Sequence, residues 1–256
     1  MLLKNKVAIV TGASRGVGAS IAQVLAHEGA AVCVNYLKSV DQASQVVDSI
    51  IGQGGRAFAH QADVTVSSEV EAMVTQVIKT YGRVDVVVNN ALPTYKFDPT
   101  APYTSIETVQ WDNFSQQIEG TVKGVFNVVR AVVPSMKAQH FGKVINISTN
   151  LVYNPVVTYY DYTTAKAGLV GLTRNLAAEL GQYGIRVNLI AGGLLRTTDA
   201  SSATTDEVFE LVAKNTPLRQ TISVEEFAQS VLLFASDWSN AITGQSIAVD
   251  GGLTMP

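Results

Sequence analysis

This 256-residue sequence predicts an α/β fold: a doubly wound parallel sheet of about seven strands with helices on both faces, forming one domain over residues 1–256. Three observations lead there. Short β-branched runs alternate with longer stretches of helical periodicity from end to end, the pattern of βα units. The runs VAIV, VDVVV and KVINI are continuously apolar, as strands buried on both sides must be. A glycine cluster falls directly between the first run and the first helical stretch.

The first run, 7–10, passes straight into Thr11-Gly12-Ala13-Ser14-Arg15-Gly16-Val17-Gly18 and a helix over 19–27. A second run at 31–34 ends in Val34-Asn35-Tyr36-Leu37-Lys38-Ser39, after which Val40, Ala43, Val46, Val47 and Ile50 recur at helical spacing. The third run, 56–59, leads to Asp63-Val64 and to a helix marked by Val70, Met73, Val74, Val77 and Tyr81. The fourth, 84–89, is followed by Asn90, Ala91 and an irregular segment over 92–105 that carries Pro93, Pro99 and Pro102. A helix beginning near Trp111 is expected to bend or shorten at Pro134. Runs at 144–148, 185–190 and 245–249 complete the set. Between the first two of these lies an apolar helix over 162–180, and 192–206 is a second irregular segment, rich in Gly, Ser and Thr. Both irregular segments follow strand ends, where open α/β sheets place their ligands.

Composition excludes several classes. Hydrophobic residues at 47% rule out disorder, and a charged fraction of 15% is well below the roughly 25% of an average globular protein. Lys plus Arg number 18 against 21 Asp plus Glu, with no basic run, so the footprint of a nucleic-acid binder is missing. The longest charge-free stretch, 144–160, is broken by Asn146, Asn150, Asn154 and Pro155, so no membrane span is expected. The start MLLKNK has no apolar core of signal-peptide length and Cys33 is the single cysteine, which together suggest a cytoplasmic protein. His27, His60 and His140 show no ligand spacing, so no metal is expected; Cys33 reads as core.

Two motifs carry chemistry. Glycines between a strand and a helix permit a tight turn, and the free N–H groups at the helix start attract a pyrophosphate. A turn made tight for packing alone is the plainer alternative. The second strand end carries no acid to meet a ribose 2′-hydroxyl, whereas Arg15 and Lys38 are suited to a 2′-phosphate, which favours NADPH over NADH; ordinary solvated cations would look the same. In Tyr162-Thr163-Thr164-Ala165-Lys166, four residues of spacing put phenol and ammonium on one helical face. The ammonium would lower the phenol pKa toward useful acid/base work, although a packing tyrosine and a snorkelling lysine have the same spacing.

The ordered combination is more specific than its parts. A glycine loop after the first strand, Asp63-Val64 after the third, Asn89-Asn90-Ala91 after the fourth and Y-x-x-x-K after the fifth resemble the short-chain dehydrogenase/reductase family over nearly the whole chain. The stretches TGASRGVG, YTTAKAGLVGLTRNLAAEL and TGQSIAVDGG resemble its 3-oxoacyl-[acyl-carrier-protein] reductase branch. The resemblance implies a Rossmann-type fold and an NADPH-dependent reduction of a ketone or acyl-thioester carbonyl. It implies that Gly12, Ser14, Arg15, Gly16, Val17 and Gly18 line the cofactor phosphates and ribose, with Tyr36, Lys38 and Ser39 at the 2′ end. Asp63 and Val64 would meet the adenine and Asn90 and Ala91 the ribose, with Leu195 also against the cofactor. Tyr162 would be the proton donor, Lys166 its partner and a ribose ligand, and Thr149 the oxyanion donor. A homotetramer is implied as well, through 111–140, 162–180 and 245–252, stretches poor in charge.

Four positions depart from the family pattern. Thr149 stands where a serine is usual, thirteen residues before Tyr162; it keeps a hydroxyl and adds a methyl. Ser148 is the weaker candidate, being expected on the other strand face. Thr121 stands where a relay asparagine is usual, Leu92 where a glycine is, and Gly192 where a proline is. Leu92 would crowd the nicotinamide or substrate, and Val152, Tyr153, Leu194 and Leu195 suggest an apolar pocket. An alternative follows from Leu92, Thr121 and Thr149: a dinucleotide-binding module in which reduction has been lost.

Overall fold

Seven strands, all parallel, lie in the order 3-2-1-4-5-6-7. They are β1 (Val7–Val10), β2 (Ala31–Tyr36), β3 (Arg56–Gln61), β4 (Val86–Asn89), β5 (Gly142–Thr149), β6 (Ile185–Gly192) and β7 (Ser246–Val249). This computed structural model describes residues 1–98, 100–196, 198 and 200–256; Pro99, Thr197 and Asp199, which fall in the two irregular segments, lie outside the described residues.

Alternation along each strand divides the core into two layers. Ala8, Val10, Val32 and Val34 face α1 (Gly16–His27), α2 (Val40–Gly52) and α8 (Val224–Ala235). Val7, Ile9, Ala31 and Cys33 face α3 (Ser67–Tyr81), α5 (Gly124–Ala138) and α6 (Tyr160–Leu180). Because both faces are covered, the central strands are apolar throughout. Cys33 is fully buried, and burial pushes its thiol pKa well up, as fits a core residue. The remaining helices are α4 (Trp111–Ile118) and α7 (Asp206–Asn215), and among the described residues no helix is long and apolar enough to cross a membrane.

Local differences from expectation have identifiable causes. The fourth strand starts at Val86, not at 84, because Asp85 turns its buried carboxylate to the Val7 N–H (2.9 Å) and the Arg83 guanidinium (2.7 and 2.9 Å). Strands β5 and β6 run on to Thr149 and Gly192, carrying their polar ends to the sheet edge. Pro134 does not shorten its helix, since α5 continues to Ala138 with Val132 and Met136 buried on either side, and that packing outweighs one lost hydrogen bond. The interruption comes earlier, as a π-helical turn over Glu119–Lys123 between α4 and α5, a form frequent at functional sites.

One buried charge stands out away from that edge. Lys143, on β5, is 1% exposed, and its Nζ donates to Ser239 Oγ at 3.1 Å. Burial, helped by the charges of Arg186 and Lys6 and opposed by Asp237, lowers its pKa to about 8. The unfolded chain, with lysine near 10.4, then binds more protons than the fold above about pH 8, so stability rises as the pH climbs from about 8 to about 10.5. Below about 8 the cost of the buried ammonium is fully present. Lys143→Met should therefore raise Tm at neutral pH and flatten the alkaline rise, followed by calorimetry between about pH 7 and about pH 10. Identical pH slopes in the two proteins would remove Lys143 as the cause.

Candidate active site

The β1–α1 turn is shaped by contacts that admit only glycine. A Cβ on Gly18 would lie 2.3 Å from the Gly12 carbonyl oxygen, and one on Gly12, whose φ is +61°, would lie 2.9 Å from Ala91 Cα. Gly16 differs: its φ is +55° and a Cβ there would meet nothing within 4 Å, so the turn opens outward at the start of α1. Among the described residues no side chain caps that helix end, and its first turn holds no acid. Free N–H groups beside open space fit the phosphates of a dinucleotide.

Two asparagines clamp this turn. Asn35, 2% exposed on β2, accepts from Gly12 N through Oδ1 (3.2 Å) and from Ala13 N through its carbonyl (2.7 Å), while its Nδ2 donates to Ala62 O (3.0 Å). Asn90, after β4, donates from Nδ2 to the carbonyls of Thr11 and Gly12 at 3.0 and 3.1 Å. Thr11 Oγ1 in turn accepts from the N–H groups of Asn90 and Ala91, both at 3.0 Å. Asn90 thus shapes the turn with its side chain. Asn35 was not singled out from the sequence; its signal is an amide inside a buried apolar strand, which must have partners.

The other expected cofactor positions reach the same sheet edge. Arg15 Nη1 donates to Ser39 Oγ (2.8 Å) and Gln42 Oε1 (3.0 Å), so its guanidinium stands at the end of β2 beside Tyr36 and exposed Lys38. Ser14 sits on the turn and Val17 in the first turn of α1. At the end of β3, Asp63 Oδ1 accepts from Thr65 N and Oγ1 at 2.8 and 2.7 Å, and the Val64 carbonyl accepts from Asn127 Nδ2 at 2.9 Å. Leu195, three residues beyond the end of β6, is buried in the layer of α1 and α8, with its carbonyl accepting from Ser201 Oγ at 2.9 Å.

Farther along the edge, β5 and the head of α6 meet. Tyr162 and Lys166, one helical turn apart, are 6% and 4% exposed. Thr149 Oγ1 accepts from Leu151 N at 3.3 Å, and its hydroxyl lies close enough to the Tyr162 phenol to favour the phenolate. Lys166 Nζ donates to the Ile147 carbonyl (2.8 Å), and Ser148 Oγ donates to the Lys166 carbonyl (3.2 Å). Ser148 therefore ties β5 to α6. The electrostatics correct one expectation: burial raises the Tyr162 pKa to about 12, opposed only by the Thr149 hydrogen bond, and lowers that of Lys166 to about 8. With its ammonium on Ile147, Lys166 does not depress the phenol in this form of the protein.

Thr121 belongs to the π-helical turn, which packs against α6. It is 2% exposed within the π-helical turn and borders a cavity of about 10 Å³ shared with Asn89, Thr11 and Ala91. Thr121 Oγ1 and Asn89 Oδ1 have no hydrogen-bond partner among the described residues, so this cavity offers the room and the polar groups for one water. Asn89 Nδ2 donates to Asn146 Oδ1 and Asn146 Nδ2 to Thr173 Oγ1, both at 2.8 Å, a polar chain crossing from β4 to α6.

The irregular segment after β4 covers Tyr162. Tyr95 stacks on its ring at 5.0 Å and 26°, Phe97 meets it edge-on at 5.2 Å, and Leu92 packs against the same cluster. Phe97 N donates to Ala200 O at 3.1 Å, joining the two irregular segments. Gly192 has a steric reason of its own, because a Cβ there would stand 2.9 Å from Phe227 Cε2 in the core.

A parallel sheet that changes winding direction between β1 and β4, with a glycine turn at that point and a buried Tyr–Lys pair on α6, defines a dinucleotide-binding oxidoreductase class. The chain belongs to the short-chain dehydrogenase/reductase family, and residues 12–254 match the family profile described as enoyl-(acyl carrier protein) reductase. It is 39% identical over 253 residues, 98% of this chain and 100% of the relative, to 3-oxoacyl-[acyl-carrier-protein] reductase FabG of Staphylococcus epidermidis. To the FabG of Thermotoga maritima it is 35% identical over 257 residues, the whole of both chains. Among solved structures, a 7α-hydroxysteroid dehydrogenase complexed with NADH and 7-oxo glycochenodeoxycholic acid superposes with a TM-score of 0.88 at 32% identity, covering 98% of this chain and 94% of that one.

Proposed function

We propose that this protein is an NADPH-dependent carbonyl reductase that converts a 3-oxoacyl group or another ketone to the hydroxy compound, and runs in reverse as an alcohol dehydrogenase. The observation that carries the reading is the Tyr162 phenol, buried beside Lys166 and close to the Thr149 hydroxyl at the same sheet edge as the glycine turn. The 3-oxoacyl-[acyl-carrier-protein] reductases among its relatives support an acyl thioester as substrate.

The glycine turn at Gly12, Gly16 and Gly18 would hold a nicotinamide dinucleotide, whose chemistry, when bound, would be hydride donation to the carbonyl carbon. Tyr162 supplies the proton to the carbonyl oxygen, completing the C–OH group. A phenol pKa of about 12 keeps that proton in place throughout the neutral range. The Thr149 hydroxyl, close to the Tyr162 phenol, steadies the oxygen as charge develops, a type of contact worth about 3 kcal/mol in mutant series. Lys166, its ammonium held on the Ile147 carbonyl at the head of α6, would bind the nicotinamide ribose.

The preference for NADPH is supported by Arg15, held on Ser39 and Gln42 beside Lys38 with no acid at the end of β2. A homotetramer is supported by Trp111 and Phe126, which stand exposed on α4 and α5.

Tyr162→Phe should lower kcat by about 10²–10⁴-fold while NADPH binds with unchanged Kd. Full turnover in that variant would sink the assignment. Arg15→Ala should weaken NADPH about tenfold and NADH far less by fluorescence titration, because a charge-assisted phosphate contact is lost. Tighter binding of NADH than NADPH by the parent protein would reverse the cofactor preference. Light scattering at micromolar concentration should give the mass of a tetramer, and a monomeric mass would overturn that part.

A further inference from the structure

Five rings from two separate stretches converge at the head of α6: Tyr95, Phe97 and Tyr103 from the irregular segment, and Tyr159 and Tyr162 from the helix start. Tyr95 is at their centre. Its ring centroid lies 5.0 Å from Tyr162, 5.2 Å from Tyr103, 5.5 Å from Phe97 and 5.9 Å from Tyr159. A carbonyl cannot approach a phenol that is 6% exposed and faced by this stack unless a ring gives way.

The bonding singles out which ring. Tyr95 is held at its tip by one hydrogen bond, from its hydroxyl to Asp161 Oδ1 at 3.0 Å, where the same oxygen accepts from Tyr162 N at 2.7 Å. Burial and the Asp161 carboxylate push the Tyr95 pKa far up, so its hydroxyl stays a donor. The surrounding walls are anchored without Tyr95: Phe97 N donates to Ala200 O (3.1 Å), Tyr103 Oη to Lys96 O (2.6 Å) and Thr158 Oγ1 to Thr104 O (2.6 Å). The Tyr95 ring fills the space bounded by Phe97, Tyr103 and Tyr159 on one side and by the Tyr162 ring on the other. Aromatic walls in stacked and edge-on positions favour another ring in that space.

We propose that Tyr95 is the specificity-determining residue of this site: its ring holds the place that the substrate takes, selecting ketones that carry a phenyl-sized ring beside the carbonyl over those with a short alkyl arm. This rests on the carbonyl-reductase reading and gives it a substrate class.

The test uses a pair of 3-oxoesters that differ only in that arm, ethyl benzoylacetate and ethyl acetoacetate, with NADPH oxidation as the signal. The parent protein should show the higher kcat/KM with the benzoyl ester. Tyr95→Ala, which removes the competing ring, should lower KM for the benzoyl ester about tenfold and for the acetyl ester far less. Tyr95→Phe keeps the ring and loses only the Asp161 bond, so it should fall between, and it carries the test if the alanine variant does not fold. A preference for the acetyl ester in the parent, or equal KM shifts for both esters, overturns the role of Tyr95 and leaves the reductase reading standing. NADPH binding without oxidation by either ester overturns both.

Discussion

The parallel pairing of β1 with β2 on one side and β4 on the other is the constraint on which the rest of the structure depends. It brings three strand ends to one edge, and the backbone leaving β1 must turn there at once. Carbonyl and N–H groups in so sharp a turn would be left unpaired, at a cost comparable to a lost hydrogen bond each. Asn35 from β2 and Asn90 from beyond β4 take up those groups, and Gly12 and Gly18 allow the close approach that this requires. The same clamp leaves the start of α1 uncapped and facing outward. Anion binding is thus a consequence of how the turn is satisfied.

A second tie, between β5 and α6, governs the chemistry. Lys166 Nζ reaches back to the Ile147 carbonyl and Ser148 reaches the Lys166 carbonyl, which draws the helix head against the strand end and buries both Tyr162 and Lys166. Burial penalises charge, so one cause moves the two groups in opposite directions, the phenol upward and the amine downward. The phenol holds its proton more tightly than in water and the ammonium less tightly. Any group that brings charge or hydrogen bonds to this edge acts on it strongly, because little solvent is there to screen.

The positions that depart from the family pattern acquire separate explanations. Gly192 is required by the Phe227 ring in the core. Thr149 retains the hydroxyl contact to Tyr162. Leu92 joins the apolar packing around the aromatic cluster. Thr121 is shorter than an asparagine would be, and a cavity for one water remains beside it, bordered by the carboxamide of Asn89. Three of the four are local adjustments of packing, and the fourth sits in the π-helical turn.

Hydrophobic periodicity by itself determined the seven strands, their parallel direction and the helices on both faces, because a buried parallel strand and an amphipathic helix each leave a pattern in neighbouring residues. Motif residues at short spacings likewise placed the glycine turn and the Tyr162–Lys166 pair. Strand ends were less legible: Asp85 looks like part of a strand until its partners Val7 and Arg83 are known. Only the tertiary structure decided what Asn35 and Asn90 hold, where Leu195 packs, that a π turn and not Pro134 interrupts the α4–α5 helix, and that Tyr95 lies on Tyr162. Each of these joins residues many positions apart, and a contact of that kind has no period along the chain. The pKa of Tyr162 belongs with them, since it is set by what surrounds the phenol and not by the lysine four residues away.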